Sequence, residues 1–168
     1  MGVINGSFDG VRSLSLYMLI YLVMSLALFI CIIALKTNDE HIENINDISG
    51  LAKVNPVMAM IISIILFSLA GIPPLAGFFA KFYVLYAAVE AELYYLALFG
   101  VLSSVVSAFY YLRIVKVMYF EESAITFDPM SKRLKTLIYL LTAITLLFFV
   151  NPSIFINVAG SASASLFM

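Results

Sequence analysis

Apolar and polar positions in this chain fall into long blocks, with neither the strict alternation of a strand nor a single amphipathic stripe. Residues 13–35 carry no charge. About 23 such residues suffice to cross a hydrocarbon core of about 30 Å. Arg12 and Lys36 bracket the block as interfacial anchors. Residues 36–56 are polar, hold Asp39, Glu40, His41, Glu43, Asp47 and Lys53, and read as an aqueous loop. Ile42, Ile45, Ile48 and Leu51 recur within it at a spacing that suits a short amphipathic helix.

A second apolar block covers residues 57–88, after Asn55-Pro56, a capping residue followed by a proline suited to the first helical position. As one helix it would measure about 48 Å, too long for a single simple pass. It is too short for two passes and a loop, so one crossing built from two half-helices is expected. The interruption is predicted at 71–77, where Gly71, Pro73, Pro74 and Gly77 fall together. Consecutive prolines lack N–H donors and crowd the preceding turn. Residues 94–119 form a third span, 120–133 a second aqueous loop, and 134–151 a last span that stops at Asn151-Pro152. Asp128-Pro129 reads as a helix start, and the tail ending GSASASLFM as interfacial or frayed.

The pattern predicts an all-α integral membrane fold. It has about four transmembrane passes, one of them discontinuous, in a single membrane domain over residues 1–168. Composition agrees: 64% of the 168 residues are hydrophobic, 11% are charged and the mean hydropathy is +1.09. Ordinary globular proteins carry roughly 25% charged residues. The net charge of −1 suggests no nucleic-acid partner, leaving the lipid bilayer as the first. The opening residues MGVINGSFDG lack the charged start and apolar core of a secretory signal. Arg113, Lys116, Lys132, Arg133 and Lys135 flank the second loop, and Lys36 and Lys53 the first. The positive-inside rule then puts both loops inside and the acidic turn at Glu90 and Glu92 outside.

Most chemistry is missing from the chain. Cys31 has no second cysteine to pair with and reads as a small buried hydrophobe, while His41 reads as solvated. Gly100, Ser104 and Ala108 form a small-residue stripe suited to helix packing. Lys81 stands apart, about 10 Å inside the outer end of its half-helix. A cation at membrane depth marks a functional hypothesis, here proton transfer, and the break beside it suits a short water-filled half-channel. Structural pairing with another subunit is the plainer reading of the same lysine.

SLAGIPPLAGFFAKFYVL, Ser68 to Leu85, and VLSSVVSAFYYLRIVKVMYF, Val101 to Phe120, carry a resemblance. From about Gly10 to Phe120 the chain is similar to the C-terminal part of the N subunit (subunit 2) of respiratory complex I. That enzyme is the proton-translocating NADH:quinone oxidoreductase. The resemblance implies an antiporter-like fold of inverted repeats, each with one discontinuous helix. It places the family's proton-exchanging lysine on Lys81 and the family's break on Gly71 to Gly77. It implies partners among the other membrane subunits of the complex: the missing N-terminal half, expected on another piece of protein, and neighbouring antiporter-like subunits. NADH, FMN, iron–sulfur clusters and quinone would belong to other subunits, with none in this chain. A bacterial cytoplasmic or mitochondrial inner membrane is the expected location. Two alternatives remain: a subunit of a multi-subunit cation/proton antiporter, and a structural remnant that moves no protons.

Overall fold

The computed structural model describes residues 8–37, 39–122 and 126–164. The turn-rich start of the chain, the middle of the second loop and the last four residues of the tail lie outside the described residues. Helix α1 runs Phe8–Ala34 and lies at the centre. Leu16, Ile20, Met24, Ala27 and Cys31 recur every three or four residues along it, and each is buried. That spacing keeps them on one face. Helices α3 (Pro56–Ala70), α4 (Ala76–Glu90), α6 (Lys132–Val150) and α7 (Pro152–Ala164) all pack on α1. Helix α5 (Tyr94–Phe120) packs mainly on α3 and leaves Tyr95, Phe99, Val105 and Phe109 exposed. A helix this apolar and this exposed suits a bilayer better than water.

Among the described residues, two helices, over Asp9–Ala34 and Tyr94–Phe120, are long and apolar enough to cross a membrane alone. Helices α3 and α4 have 15 residues each, so each falls short of the span. Asn55 caps α3, its side chain accepting from the Met58 N–H at 3.1 Å, with Pro56 at the first helical position.

The first loop is more ordered than its polarity suggests. Lys36–Thr37 (β1) pairs antiparallel with Glu40–His41 (β2), a 3-10 turn follows at Ile45–Ile48, and α2 covers only Leu51–Val54. The isoleucine spacing therefore does not build one amphipathic helix. Gly50, at φ 65, separates the two turns, and only Ile48 and Leu51 of the series are buried. The Asp47 carboxylate accepts from the backbone N–H groups of Asn44 at 2.8 Å and Glu43 at 3.2 Å. These bonds hold its pKa below the ordinary aspartate value.

The two loops are tied together. The Asp128 carboxylate accepts from the Asp39 N–H, and the Asp128 N–H donates to the Lys36 carbonyl, both at 2.9 Å. Asp128 is thus spent between loops and caps no helix. Helix α6 starts three residues after Pro129, with the Ser131 hydroxyl accepting from the Leu134 N–H at 3.4 Å. The tail is a further difference. Residues read as frayed form α7, which docks on α1 with Ala159 and Ser163 buried. The Ser163 hydroxyl lies 3.2 Å from that of Ser15. Small side chains let α7 come close enough for this contact, where composition alone reads as a loose end.

Candidate functional site

The site begins where α3 stops. A helix end leaves its last carbonyls without intrahelical partners. Gly71 takes φ 88, and its N–H donates to the Ser68 carbonyl at 3.0 Å, while the Ile72 N–H donates to the Phe67 carbonyl at 3.0 Å. This pair of bonds is a Schellman cap, for which glycine is the favoured residue because it has no Cβ to clash. Pro73 and Pro74 follow, joined by a cis peptide bond and exposed to the surroundings. Helical structure resumes only at Ala76.

Two contacts fold α4 back onto the end of α3. Leu75 offers no side-chain acceptor to the start of α4, so the Gly77 N–H donates to the Ser68 hydroxyl at 3.0 Å. The backbones approach so closely that a Cβ on Gly77 would lie 1.8 Å from the Ser68 carbonyl oxygen. Nothing larger than glycine fits there without moving a helix. Ser68 itself is fully buried.

One turn on from Gly77, Lys81 reaches back to the break. Its Nζ donates to the Ala70 carbonyl at 3.2 Å. Its Cδ lies 3.2 Å from where a Cβ on Gly71 would sit. The ammonium thus meets the C-terminal end of α3, where the helix dipole favours a positive charge. Gly71 and Gly77 have separate duties: one lets the chain turn and the lysine stem pass, the other lets two backbones touch.

Lys81 is half-buried and forms part of the wall of a cleft of about 360 Å³ between α1, α4 and α5. The opposite walls carry hydroxyls: Tyr17 and Tyr21 from α1, and Ser104, Ser107 and Tyr111 from α5. Ser104 and Ser107 donate to the carbonyls of Gly100 and Ser103 in their own helix, both at 2.9 Å. Their oxygens keep lone pairs for a water in the cleft. The volume is ample for several waters, since one needs about 10–15 Å³ of accessible space.

The structure gathers Lys81, Gly71 and Gly77 into one place, with Pro73 and Pro74 at its edge. Glu90 and Glu92 are exposed at the far end of α4 and beyond it. Sequence reasoning missed Ser68, whose capping role depends on a contact across the break. It also read Gly100 and Ser104 as a packing stripe, whereas both line the cleft beside Lys81. Tyr111 is likewise a wall residue. Cys31 is buried in the core, and His41 is exposed in the first loop. Among the described residues no three His, Cys, Asp or Glu side chains come together in a way that would hold a metal ion.

With this geometry in hand, the chain can be set beside known proteins. It is 48% identical over 167 residues to NADH-quinone oxidoreductase subunit N of Parvibaculum lavamentivorans, covering 99% of this chain and 35% of that one. The chain therefore spans about a third of the length of the relatives it matches, and the match is to their C-terminal part. Its fold aligns with a chain of the Mrp complex from a Dietzia species at a TM-score of 0.83 and 21% identity. That alignment covers 99% of this chain and 39% of the other. A chain of respiratory complex I from Thermus thermophilus aligns at a TM-score of 0.76 and 21% identity, covering 89% and 35%. A family model described as NADH:quinone oxidoreductase/Mrp antiporter, transmembrane, matches residues 1–107. On this evidence the chain belongs to the NADH:quinone oxidoreductase/Mrp antiporter family of membrane proteins, within the subunit N branch.

Proposed function

We propose that this chain is the C-terminal part of a proton-translocating membrane-arm subunit of NADH:quinone oxidoreductase, and that Lys81 is its proton-transfer group. The observation that carries the reading is the bond from Lys81 Nζ to the Ala70 carbonyl, made at a helix break by a lysine that also lines a hydroxyl-walled cleft. The Lys81 ammonium gives a proton to a water in the cleft and becomes a neutral amine. It is recharged by a proton arriving from the rest of the subunit. The Ala70 carbonyl holds the nitrogen in place in both states, because it accepts from an amine as well as from an ammonium. Ser104, Ser107 and the tyrosines hold the waters that carry the proton outward.

In this reading α3 and α4 make one pass between them, α6 and α7 another, and α1 and α5 one each, four in all. The chain lies in a bacterial cytoplasmic or mitochondrial inner membrane with both loops on the inner side. Its partners are the remainder of the subunit and neighbouring antiporter-like subunits. NADH, FMN, iron–sulfur clusters and quinone are handled by other subunits of the complex. The relative from Parvibaculum lavamentivorans is named for a quinone oxidoreductase, which weighs against the cation/proton antiporter reading.

The test is complementation. A strain lacking subunit N receives the N-terminal two-thirds of a close relative's subunit together with this chain, as separate polypeptides. NADH-driven proton translocation should return with both pieces and be absent with either alone. A complex that contains both pieces, reduces quinone and still translocates no more protons than the strain without the chain would overturn the reading.

A further inference from the structure

A second cleft, of about 450 Å³, lies at the opposite end of α4 from the break. The first two turns of α1, the last turns of α4 and one face of α7 enclose it. Its charged groups gather at one level: Asp9 and Arg12 near the start of α1, and Glu90 at the last residue of α4. Tyr86, one turn before Glu90 on α4, lines the same cleft. One turn further into the bundle the walls become apolar, with Leu16, Ile156 and Ala159. Helix α1 is about 40 Å long, so its first turns extend past a hydrocarbon core of about 30 Å into the headgroup layer. Helix α7 passes close to the guanidinium stem: Arg12 Nε lies 3.7 Å from where a Cβ of Gly160 would sit, an ordinary van der Waals distance.

The charge count selects the occupant. Two carboxylates and one guanidinium sum to −1, so the cleft repels a ligand that is only anionic, while one that is only cationic gives the guanidinium nothing to bond. A group with a phosphate and a primary ammonium a few ångströms apart satisfies both. Arg12 takes the phosphate through paired N–H donors, as guanidinium groups favour. Asp9 and Glu90 accept N–H bonds from the ammonium. The apolar floor at Leu16 and Ile156 then meets the first carbons of the acyl chains. The volume falls within the range of about 300–1,000 Å³ usual for small-molecule sites. We infer that this cleft binds the headgroup of a zwitterionic phospholipid with a primary ammonium, of the phosphatidylethanolamine class, and so anchors α7 against α1 and α4.

The test uses the full chain in nanodiscs made from equal parts of phosphatidylethanolamine and phosphatidylglycerol. After extraction into mild detergent, native mass spectrometry counts the lipids that remain bound. The unaltered chain should retain phosphatidylethanolamine in several-fold excess over phosphatidylglycerol. Arg12→Gln should return the ratio to that of the input, and Glu90→Gln should move it toward phosphatidylglycerol. Replacing phosphatidylethanolamine by phosphatidylcholine, whose quaternary nitrogen has no N–H to donate, should abolish the excess. Because the readout is a ratio, a general loosening of the fold does not imitate the Glu90→Gln result. An input ratio for the unaltered chain, an unchanged ratio in both variants, or an equal excess of phosphatidylcholine would each overturn the inference. None of these outcomes depends on proton transfer at Lys81.

Discussion

The helical path of this chain is interrupted between α3 and α4 and again between α6 and α7, and the two breaks are built in opposite ways. At the first, a glycine cap, two prolines and a close backbone approach leave the Ala70 carbonyl to a lysine, beside a cleft of about 360 Å³. At the second, Asn151 alone separates the helices, its N–H donating to the Leu147 carbonyl at 2.9 Å. Aromatic rings fill the space there. Phe148 is buried against Phe79 and Phe155, with ring centroids 5.7 and 5.2 Å away. The nearby cavity is only about 10 Å³, at the lower limit for a single water. A helix break is therefore not a site in itself. It becomes one when a freed polar group is left to an ionisable side chain and space for water is kept beside it.

Substitution should separate the two breaks most sharply at their glycines. Gly77→Ala puts a methyl against the Ser68 carbonyl, and overpacking of this kind costs about 1–3 kcal/mol. Gly160→Ala, in α7 more than two turns past the second break, meets only the Arg12 side chain at 3.7 Å and should stay within about 0.5 kcal/mol. Denaturant unfolding in micelles, followed by circular dichroism, reads both. Equal losses would mean that the close approach at Gly77 is not a structural constraint.

The hydroxyls give a smaller contrast. Ser68→Ala leaves the buried Gly77 N–H without its acceptor, at a cost of about 1–3 kcal/mol. Ser163→Ala removes a contact with Ser15 between helices, which in membrane proteins is worth about 0.6 kcal/mol on average. The same unfolding assay ranks them, and the reverse order would contradict the capping role of Ser68.

The smallest effect lies outside both breaks and serves as their control. Asp47 has a folded pKa below its unfolded one, so its contribution to loop order is fully present above the unfolded value. It is lost as pH falls through the folded value. Exchange protection of the Glu43 and Asn44 amides should therefore hold from neutral pH down through the ordinary aspartate range and disappear below it. Protection that fails at neutral pH would show that the carboxylate does not hold this turn. Because Asp47 lies in the first loop and bonds to backbone groups of its own turn, the change should be local and leave both breaks untouched.

Much of the first break was legible in the chain because its signals are covalent and local. Proline cannot donate, glycine tolerates φ 88 at position 71, and a lone lysine among apolar residues is visible in any window. Lys81, Gly71 and Gly77 are brought together where the residue types alone place them. Ser68 was not legible, since nothing in its neighbours tells that its hydroxyl meets an N–H nine residues later. The serines of α5 were hidden for a related reason. Each satisfies its own helix, so it reads as a small packing residue until the opposite wall is seen. Helix α7 was missed because alanine, glycine and serine resemble a loose tail in composition. Only packing against α1 reveals them as an interface.

The central claim is that the first break is a proton-transfer site because Lys81 occupies it. The most direct test is NADH-driven acidification of membrane vesicles carrying the assembled complex with Lys81→Met in this chain, compared with the unaltered complex at equal content. General acid–base groups contribute about 10²–10⁴-fold to proton transfer, so the rate of translocation and the coupled quinone reduction should both fall about tenfold or more while the complex remains intact. Undiminished acidification by the intact Lys81→Met complex would contradict the account.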